Sequence, residues 1–188
     1  MSDIAELHAQ ALDQTGRIVA RIKPGQWQAD TPCDGWDVHA LLNHLVAGNL
    51  WAAELGAGAT IGDVGDRLDG DMLGADPAAS YGTSAAAAAA TFRRPGAMDT
   101  PCAVSYGPVP GAVYAGHRSL DVFVHGWDIA VATGQDTELD PGLMRACREV
   151  IEPQVAAFRA AGVFGEEQPV PPDATDQQRF LAMLGRHG

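Results

Sequence analysis

The chain has 188 residues, of which 46% are hydrophobic and 19% are charged, a composition typical of one globular domain with a buried core. Acidic residues outnumber basic ones by 24 to 12, so the formal net charge is −12. This balance argues against a nucleic-acid partner or an anionic membrane surface, because both require clustered positive charge. We therefore expect one domain that spans residues 1–188.

The sequence shows no sign of a membrane span or a secretion signal. No apolar run approaches the roughly 18 residues that a span requires, and residues 1–6 are acidic where a signal would be basic. The three cysteines, Cys33, Cys102 and Cys147, are far apart and odd in number. Such usage argues against a disulfide framework or a cysteine–zinc site. We therefore expect a cytoplasmic protein with reduced cysteines.

Apolar residues recur at helical spacing along most of the chain. The pattern predicts five main helices, over residues 3–22, 37–55, 76–92, 112–133 and 140–161. Between the second and third helices, residues 56–75 are rich in glycine and aspartate and predict a flexible connection. Residues 97–111 contain three prolines and predict an irregular crossing.

The ends of several helices are marked by specific residues. Asp76-Pro77 and Asp140-Pro141 each combine a helix N-cap with a proline in the first turn. Pro153 should kink or split the fifth helix, because proline cannot continue the helical hydrogen-bond pattern. A last amphipathic turn follows near residues 180–184, and convincing strand alternation is absent. The sequence therefore predicts an all-α bundle.

A candidate metal site is suggested by the spacing of polar residues on the fourth predicted helix. His117, Asp121 and His125 are four residues apart in series, and residues one turn apart share a helix face. Asp121 and His125 can therefore converge on one ion, and His44 in the second helix is the natural third ligand. Two histidines and one carboxylate leave coordination positions open for water or substrate.

The same spacing is also compatible with histidines that are packed, hydrogen-bonded core residues. Asp121 fits this second interpretation less well, because a buried carboxylate requires a cation or several donors. Asp128 has two interpretations, as a hydrogen-bond partner of a metal-bound histidine or as the cap of a neighbouring element. Trp36 and Trp127 could likewise line a ligand site or pack in the core. Spacing alone leaves these alternatives open.

Five short segments carry a combined pattern that extends over nearly the whole chain. Four of them are residues 31–38, 43–46, 73–79 and 121–130, and the fifth is a C-terminal signature at residues 173–175, 181 and 184–186. Together they resemble the DinB-like superfamily, and within it the branch of mycothiol-dependent maleylpyruvate isomerase N-terminal domains and their metal-binding relatives. The resemblance implies an up-and-down four-helix bundle, here with additional short C-terminal helices, and a divalent metal at one end.

The resemblance also implies the ligand set. The family uses one histidine from its second helix and an acid-x-x-x-His pair from a later helix, and His44, Asp121 and His125 match those positions. The isomerase branch has glutamate where this chain has Asp121. Aspartate is one methylene shorter, so the ion would lie closer to the helix or bind less tightly. Whether His117 joins the site, as an added or alternative ligand, stays open from the sequence.

The function implied by the resemblance is metal-dependent thiol chemistry. A divalent ion, zinc foremost with nickel, iron or manganese as alternatives, would hold a thiol of the mycothiol type as a thiolate. The thiolate would transfer to a small electrophile or isomerise it. A different class of function is a non-enzymatic metal-binding scaffold or interaction protein, with a homodimer as one form. A third alternative keeps the fold and loses the metal.

Overall fold

The structure is a computed structural model that describes residues 3–187, and it is mainly helical. Its elements in chain order are α1 (Ile4–Val19), α2 (Val38–Gly56), α3 (Ile61–Val64), α4 (Pro77–Phe92), β1 (Pro101–Val104), β2 (Gly107–Pro110), α5 (Gly111–Thr133), α6 (Pro141–Ile151), α7 (Val155–Ala160) and α8 (Asp176–Met183). The predicted all-α class is confirmed. The chain divides between Thr137 and Glu138 into two compact units, while a single domain over residues 1–188 stays a prediction.

The first unit is a bundle of the four long helices α1, α2, α4 and α5. Both α4 and α5 pack against α1 and against α2, so α1 and α2 occupy opposite corners of the bundle. The core consists of apolar side chains from all four helices, including Leu12, Leu41, Leu45, Ala88, Val122 and Phe123. Burial of these side chains is the main source of the bundle's stability.

Local sequence signals explain where the bundle helices begin and end. Asp37 and Asp76 cap α2 and α4, and their side chains accept hydrogen bonds from the backbone of Ala40 and Ala79 at 2.8 and 3.0 Å. Gly134 ends α5 with a φ of 64°, a left-handed conformation that glycine adopts without strain. These caps confirm the predicted starts of α2 and α4 and the predicted end of α5.

Two connections are more regular than the sequence predicts. Residues 97–111, expected to be irregular, contain an antiparallel hairpin in which Cys102 of β1 pairs with Val109 of β2. Proline is tolerated there because a two-stranded hairpin consists of edge strands only. Within residues 56–75, the short helix α3 begins at a reciprocal cap between Thr60 and Asp63.

The second unit contains α6, α7 and α8. Pro153 splits the predicted fifth helix as expected, because α6 ends at Ile151 and a tight turn precedes α7. Arg159 on α7 donates a hydrogen bond to the carbonyl of Met183 at 2.8 Å and so joins α7 to α8. Within residues 3–187, no helix combines the length and the apolar character needed to cross a bilayer.

Candidate metal centre

The three predicted ligands lie together in the bundle, His44 on α2 and the other two on α5. Nε2 of His44 is 3.3 Å from Oδ1 of Asp121, and Nε2 of His125 is 3.5 Å from the same oxygen. All three candidate ligand atoms lie within 4.8 Å of one another. The structure therefore brings one imidazole nitrogen from each of two helices close to a single carboxylate oxygen.

These separations fit a small divalent ion. Ligands bound at the usual zinc–nitrogen and zinc–oxygen lengths in a tetrahedral arrangement lie roughly 3.3–3.4 Å apart. The two measured separations around Asp121 Oδ1 are close to that value. The donor set of two imidazoles and one carboxylate also suits zinc, nickel, iron and manganese. The residues present therefore fit the metal that the resemblance implies.

The candidate ligands are partly open to solvent. The side chains of His44, Asp121 and His125 are 35%, 28% and 15% exposed. A site with three protein ligands and an exposed side leaves room for water or substrate, as catalytic metal sites do. A fully enclosed structural site would have a fourth protein ligand.

His125 is held from its other nitrogen by Asp128. Oδ2 of Asp128 accepts a hydrogen bond from Nδ1 of His125 at 2.9 Å, and Asp128 is fully buried. A proton held on Nδ1 leaves the lone pair on Nε2, which is the nitrogen that faces Asp121. Of the two interpretations of Asp128, the geometry favours the partner of a metal-bound histidine.

Cys33 approaches the same buried carboxylate. Its thiol donates to Oδ2 of Asp128 at 3.2 Å and lies 3.6 Å from Nδ1 of His125. The loop before α2 places it there through a tight turn, in which the amide of Trp36 donates to the carbonyl of Cys33 at 3.0 Å. Gly35 makes this turn with a φ of 78°. The sequence offered no signal for this contact.

Trp36, at the end of that turn, lies beside both candidate histidines. Its ring centroid is 4.9 Å from that of His44 and 6.3 Å from that of His125. The site is accessible to solvent next to Trp36, since this residue is 37% exposed. Trp127 is 5% exposed and belongs to the core. Of the two tryptophans, Trp36 therefore lines the site and Trp127 packs.

His117 lies outside this cluster. Its Nδ1 makes a hydrogen bond with the hydroxyl of Tyr106, in the hairpin turn, at 2.9 Å. Each step of four residues turns about 40° around a helix, so His117 is displaced by roughly 80° from His125. His117, which the sequence left open as an added or alternative ligand, is therefore directed to the hairpin.

Arg118 is a site residue that the sequence reasoning missed. Its Nη1 donates to Oδ2 of Asp121 at 2.7 Å, and its side chain is only 9% exposed. The sequence does contain a signal for this contact, since an arginine three residues before an aspartate lies on the same helix face. What the spacing does not show is that the pair lies inside the bundle.

The charged groups of the site shift one another's pKa values. Burial alone would raise the pKa of Asp121, but Arg118, His125 and His44 outweigh it and hold that pKa well below its usual range. Burial alone would lower the pKa of His125, but Asp121 and hydrogen bonds to Asp121, Asp128 and Cys33 raise it well above its usual value. Without a metal, the site therefore contains an ionised carboxylate beside a protonated imidazole.

The fold is shared with solved structures. A crystal structure of the mycothiol-dependent maleylpyruvate isomerase superposes with a TM-score of 0.59 and 16% sequence identity, over 87% of this chain and 72% of that chain. A histidine-to-alanine mutant of that isomerase gives a TM-score of 0.60 with the same identity and coverage. At this identity, the likeness shows a common fold.

Sequence similarity extends over almost the full length of two relatives from Mycobacterium tuberculosis. They are uncharacterized protein MT0763 of strain CDC 1551 / Oshkosh and uncharacterized protein Rv0738 of strain ATCC 25618 / H37Rv, each 34% identical over 184 residues, 95% of this chain and 95% of the relative. The model of the mycothiol maleylpyruvate isomerase N-terminal domain matches residues 8–130, a range that includes His44, Asp121 and His125. The chain thus belongs to the family of mycothiol maleylpyruvate isomerase N-terminal domains.

Proposed function

We propose that this protein binds one divalent metal ion through His44, Asp121 and His125 and uses it to activate a low-molecular-weight thiol. The observation that carries the proposal is the convergence of two Nε2 atoms on Oδ1 of Asp121 at 3.3 and 3.5 Å. Zinc is the first candidate, because a tetrahedral site with three nitrogen and oxygen ligands is typical of catalytic zinc. Nickel, iron and manganese suit the same donors.

The surrounding residues prepare the three ligands. Asp128 fixes the ring of His125 so that Nε2 faces the ion site. Arg118 occupies Oδ2 of Asp121, which leaves Oδ1 as the ligand atom. Trp36 lies beside His44 on the exposed side of the site, where it would contact an incoming ligand.

The chemistry follows from what a divalent ion does to a thiol. When bound, such an ion lowers the pKa of a coordinated thiol and holds it as a thiolate. A thiolate adds to a carbon–carbon double bond conjugated with a carbonyl to give an enolate, and its later elimination restores the double bond and the thiolate. Rotation about the single bond of the adduct converts a cis alkene to the trans isomer. Protonation of the adduct without elimination, or displacement of a halide ion by the thiolate, gives a thioether instead.

Family membership suggests the two reactants. The solved relatives are named for a dependence on mycothiol and for the isomerisation of maleylpyruvate. We propose a thiol of the mycothiol type as co-substrate and a small electrophile as substrate. Candidates for the second role are α,β-unsaturated acids and compounds with a displaceable halide.

The proposal is tested by thiol chemistry that depends on the metal. Zinc-loaded protein is incubated with mycothiol and either maleylpyruvate or 1-chloro-2,4-dinitrobenzene, and isomerisation or thiol consumption is followed by absorbance. We expect turnover with the wild-type protein and its loss in His44→Ala. His39→Ala is the matched control, because His39 is on the same helix and pairs with exposed Asp71.

Two other outcomes would change the assignment. Tight metal binding without thiol binding, accompanied by metal-dependent stability or dimerisation, would favour the non-enzymatic scaffold. Failure to bind any of the four metals would contradict the proposal and leave His44 and His125 as polar residues of the bundle.

A further inference from the structure

Arg118 is a buried cation in direct contact with a candidate ligand. Its Nη1 donates to Oδ2 of Asp121 at 2.7 Å, and its Nη2 donates to Oδ1 of Asn49 at 3.3 Å. Asn49 is itself fully buried on α2. The guanidinium is thus held between α5 and α2, where burial would be unfavourable without a charged partner.

The neighbouring helix leaves space for this cation at Gly48. A Cβ atom on Gly48 would lie 2.5 Å from both Nη1 and Nη2 of Arg118, so any other residue there would displace the guanidinium. The position of Arg118 therefore depends on a specific residue of α2 as well as on Asp121. Dependence on residues from two helices is typical of a specific buried contact and not of a surface ion pair.

The charges around the site determine which exogenous ligand it prefers. Asp121 accepts a hydrogen bond from Arg118, and Asp128 accepts from both His125 and Cys33, as carboxylates do. With two carboxylates and one guanidinium, these three groups together carry one negative charge. Neutral imidazoles from His44 and His125 add no charge. A divalent ion would leave the site with one positive charge, which a single monoanion neutralises. Without Arg118, the site with its divalent ion would have no net charge.

We infer that Arg118 is a positioning residue that aligns Asp121 and makes the metal site selective for a monoanionic ligand. The inference rests on the proposed metal site and extends it to the charge of the substrate. The ligand class is a small monoanion, with a thiolate and a carboxylate as its two chemical forms. Neutral donors such as imidazole gain less from the extra positive charge.

The test uses cobalt-loaded protein, whose visible absorption reports ligands that enter the metal's coordination shell. Wild type and Arg118→Met are titrated with azide, a monoanion, and with imidazole at a pH where it is neutral. We expect the dissociation constant for azide to rise about tenfold or more in Arg118→Met, the size expected from removal of a charge a few ångströms away. The constant for imidazole should change much less than the constant for azide.

Two further variants distinguish the effect of the Arg118 charge from an effect on folding. Arg118→Lys keeps the positive charge and should largely restore azide binding, with melting curves to show that each variant is folded. Gly48→Ala displaces the guanidinium without removing it and should weaken azide binding. Gly82→Ala is its matched control, because a Cβ at Gly82 on α4 meets nothing within 4 Å.

The two forms of anion are distinguished by titration with 2-mercaptoethanol and with acetate, since bound sulfur produces a charge-transfer band that acetate does not. Equal azide constants in wild type, Arg118→Met and Gly48→Ala would overturn the inference. Parallel weakening of azide and imidazole would also overturn it, since that pattern indicates a general structural effect. Failure of the wild type to bind cobalt would contradict the metal site itself, and this inference with it.

Discussion

The Oδ2 atom of Asp128 lies 2.9 Å from Nδ1 of His125, and the other nitrogen of that ring lies 3.5 Å from Asp121. One imidazole therefore connects a fully buried carboxylate to a partly exposed one. Cys33 donates to the same buried carboxylate at 3.2 Å. This chain of contacts orients His125 before any ion arrives, and metal-binding histidines are commonly oriented in this way.

Asp128→Asn should weaken metal binding while the fold is retained. Asparagine has the same shape, but its amide lacks the charge that keeps the proton on Nδ1 of His125. Loss of such a partner typically lowers metal affinity about 10–100-fold. Competition titration with a chromophoric chelator measures the change. Asp99→Asn, at an exposed position, is the control, and equal affinities for the two variants would contradict the orienting role of Asp128.

Metal affinity should increase with pH. The metal-free pKa of His125 is raised above its usual value, chiefly by Asp121 acting against burial, so the ring carries a proton at neutral pH. A divalent ion must displace that proton, and affinity should rise by up to about tenfold per pH unit below the pKa. Calorimetry in buffers of different ionisation enthalpy counts the protons released. Metal binding near pH 7 without the release of a proton would contradict this expectation.

The raised pKa of His125 also affects the metal-free fold, since the contribution of His125 to the free energy of unfolding should decrease as the pH rises. A histidine whose pKa is raised by folding stabilises the protein fully below its unfolded pKa of 6.5, and this contribution is lost as pH rises through the folded pKa. Chemical denaturation of the metal-free protein should therefore show that His125→Gln loses more stability in mild acid than in mild base. A pH-independent difference between His125→Gln and wild type would contradict the assignment.

His8 should make the protein less stable in acid. This ring is fully buried against Phe92, neither of its nitrogens has a hydrogen-bond partner within residues 3–187, and burial lowers its pKa from 6.5 to about 3. Between those values the unfolded chain binds a proton that the folded chain excludes. The free energy of unfolding should therefore fall by about 1.4 kcal/mol for each pH unit of acidification.

The His8 contribution is isolated by comparison of variants. His8→Leu should remove this part of the pH dependence in urea titrations, whereas His39→Gln, at a half-exposed position, should retain it. Identical pH profiles for wild type and His8→Leu would show that His8 is accessible to protons in the folded state.

Gly126→Ala should destabilise the bundle. A Cβ at this position would lie 2.3 Å from Oγ1 of Thr15 on α1, whose hydroxyl donates to the carbonyl of Val122 at 2.9 Å. Overpacking of this kind costs about 1–3 kcal/mol. Gly82→Ala, in open space on α4, should stabilise the helix by about 0.5–1 kcal/mol. Urea denaturation compares the two, and equal stabilities would contradict the close approach of α1 and α5.

Features determined by short-range chemistry were predictable from the sequence. Asp76 caps α4, Gly134 ends α5 and Pro153 separates α6 from α7, because each acts through its own few neighbours. The i, i+4 relationship of Asp121 and His125 is of the same kind. Helical periodicity and caps therefore predict the fold class and the pairing of Asp121 with His125 in the candidate site.

Features that depend on tertiary packing were not predictable. Arg118 enters the bundle because α2 presents Gly48 opposite it, and those residues are far apart in the chain. Cys33 reaches Asp128 only because the loop before α2 makes a tight turn. The hairpin at residues 101–110 is rich in proline, which ordinarily argues against strands. For Arg118 and Cys33, the decisive partner lies far away in the sequence.

Metal content is the direct measure of whether His44, Asp121 and His125 bind one metal ion. Untagged protein, purified without chelator and then exposed to zinc, is analysed by elemental mass spectrometry together with His44→Ala, His125→Ala and the controls His39→Ala and His117→Ala. We expect close to one equivalent in the wild type and both controls, and loss of the metal in His44→Ala and His125→Ala. Absence of metal from the wild type, or its retention in both of those variants, would show that these three residues do not form a metal site.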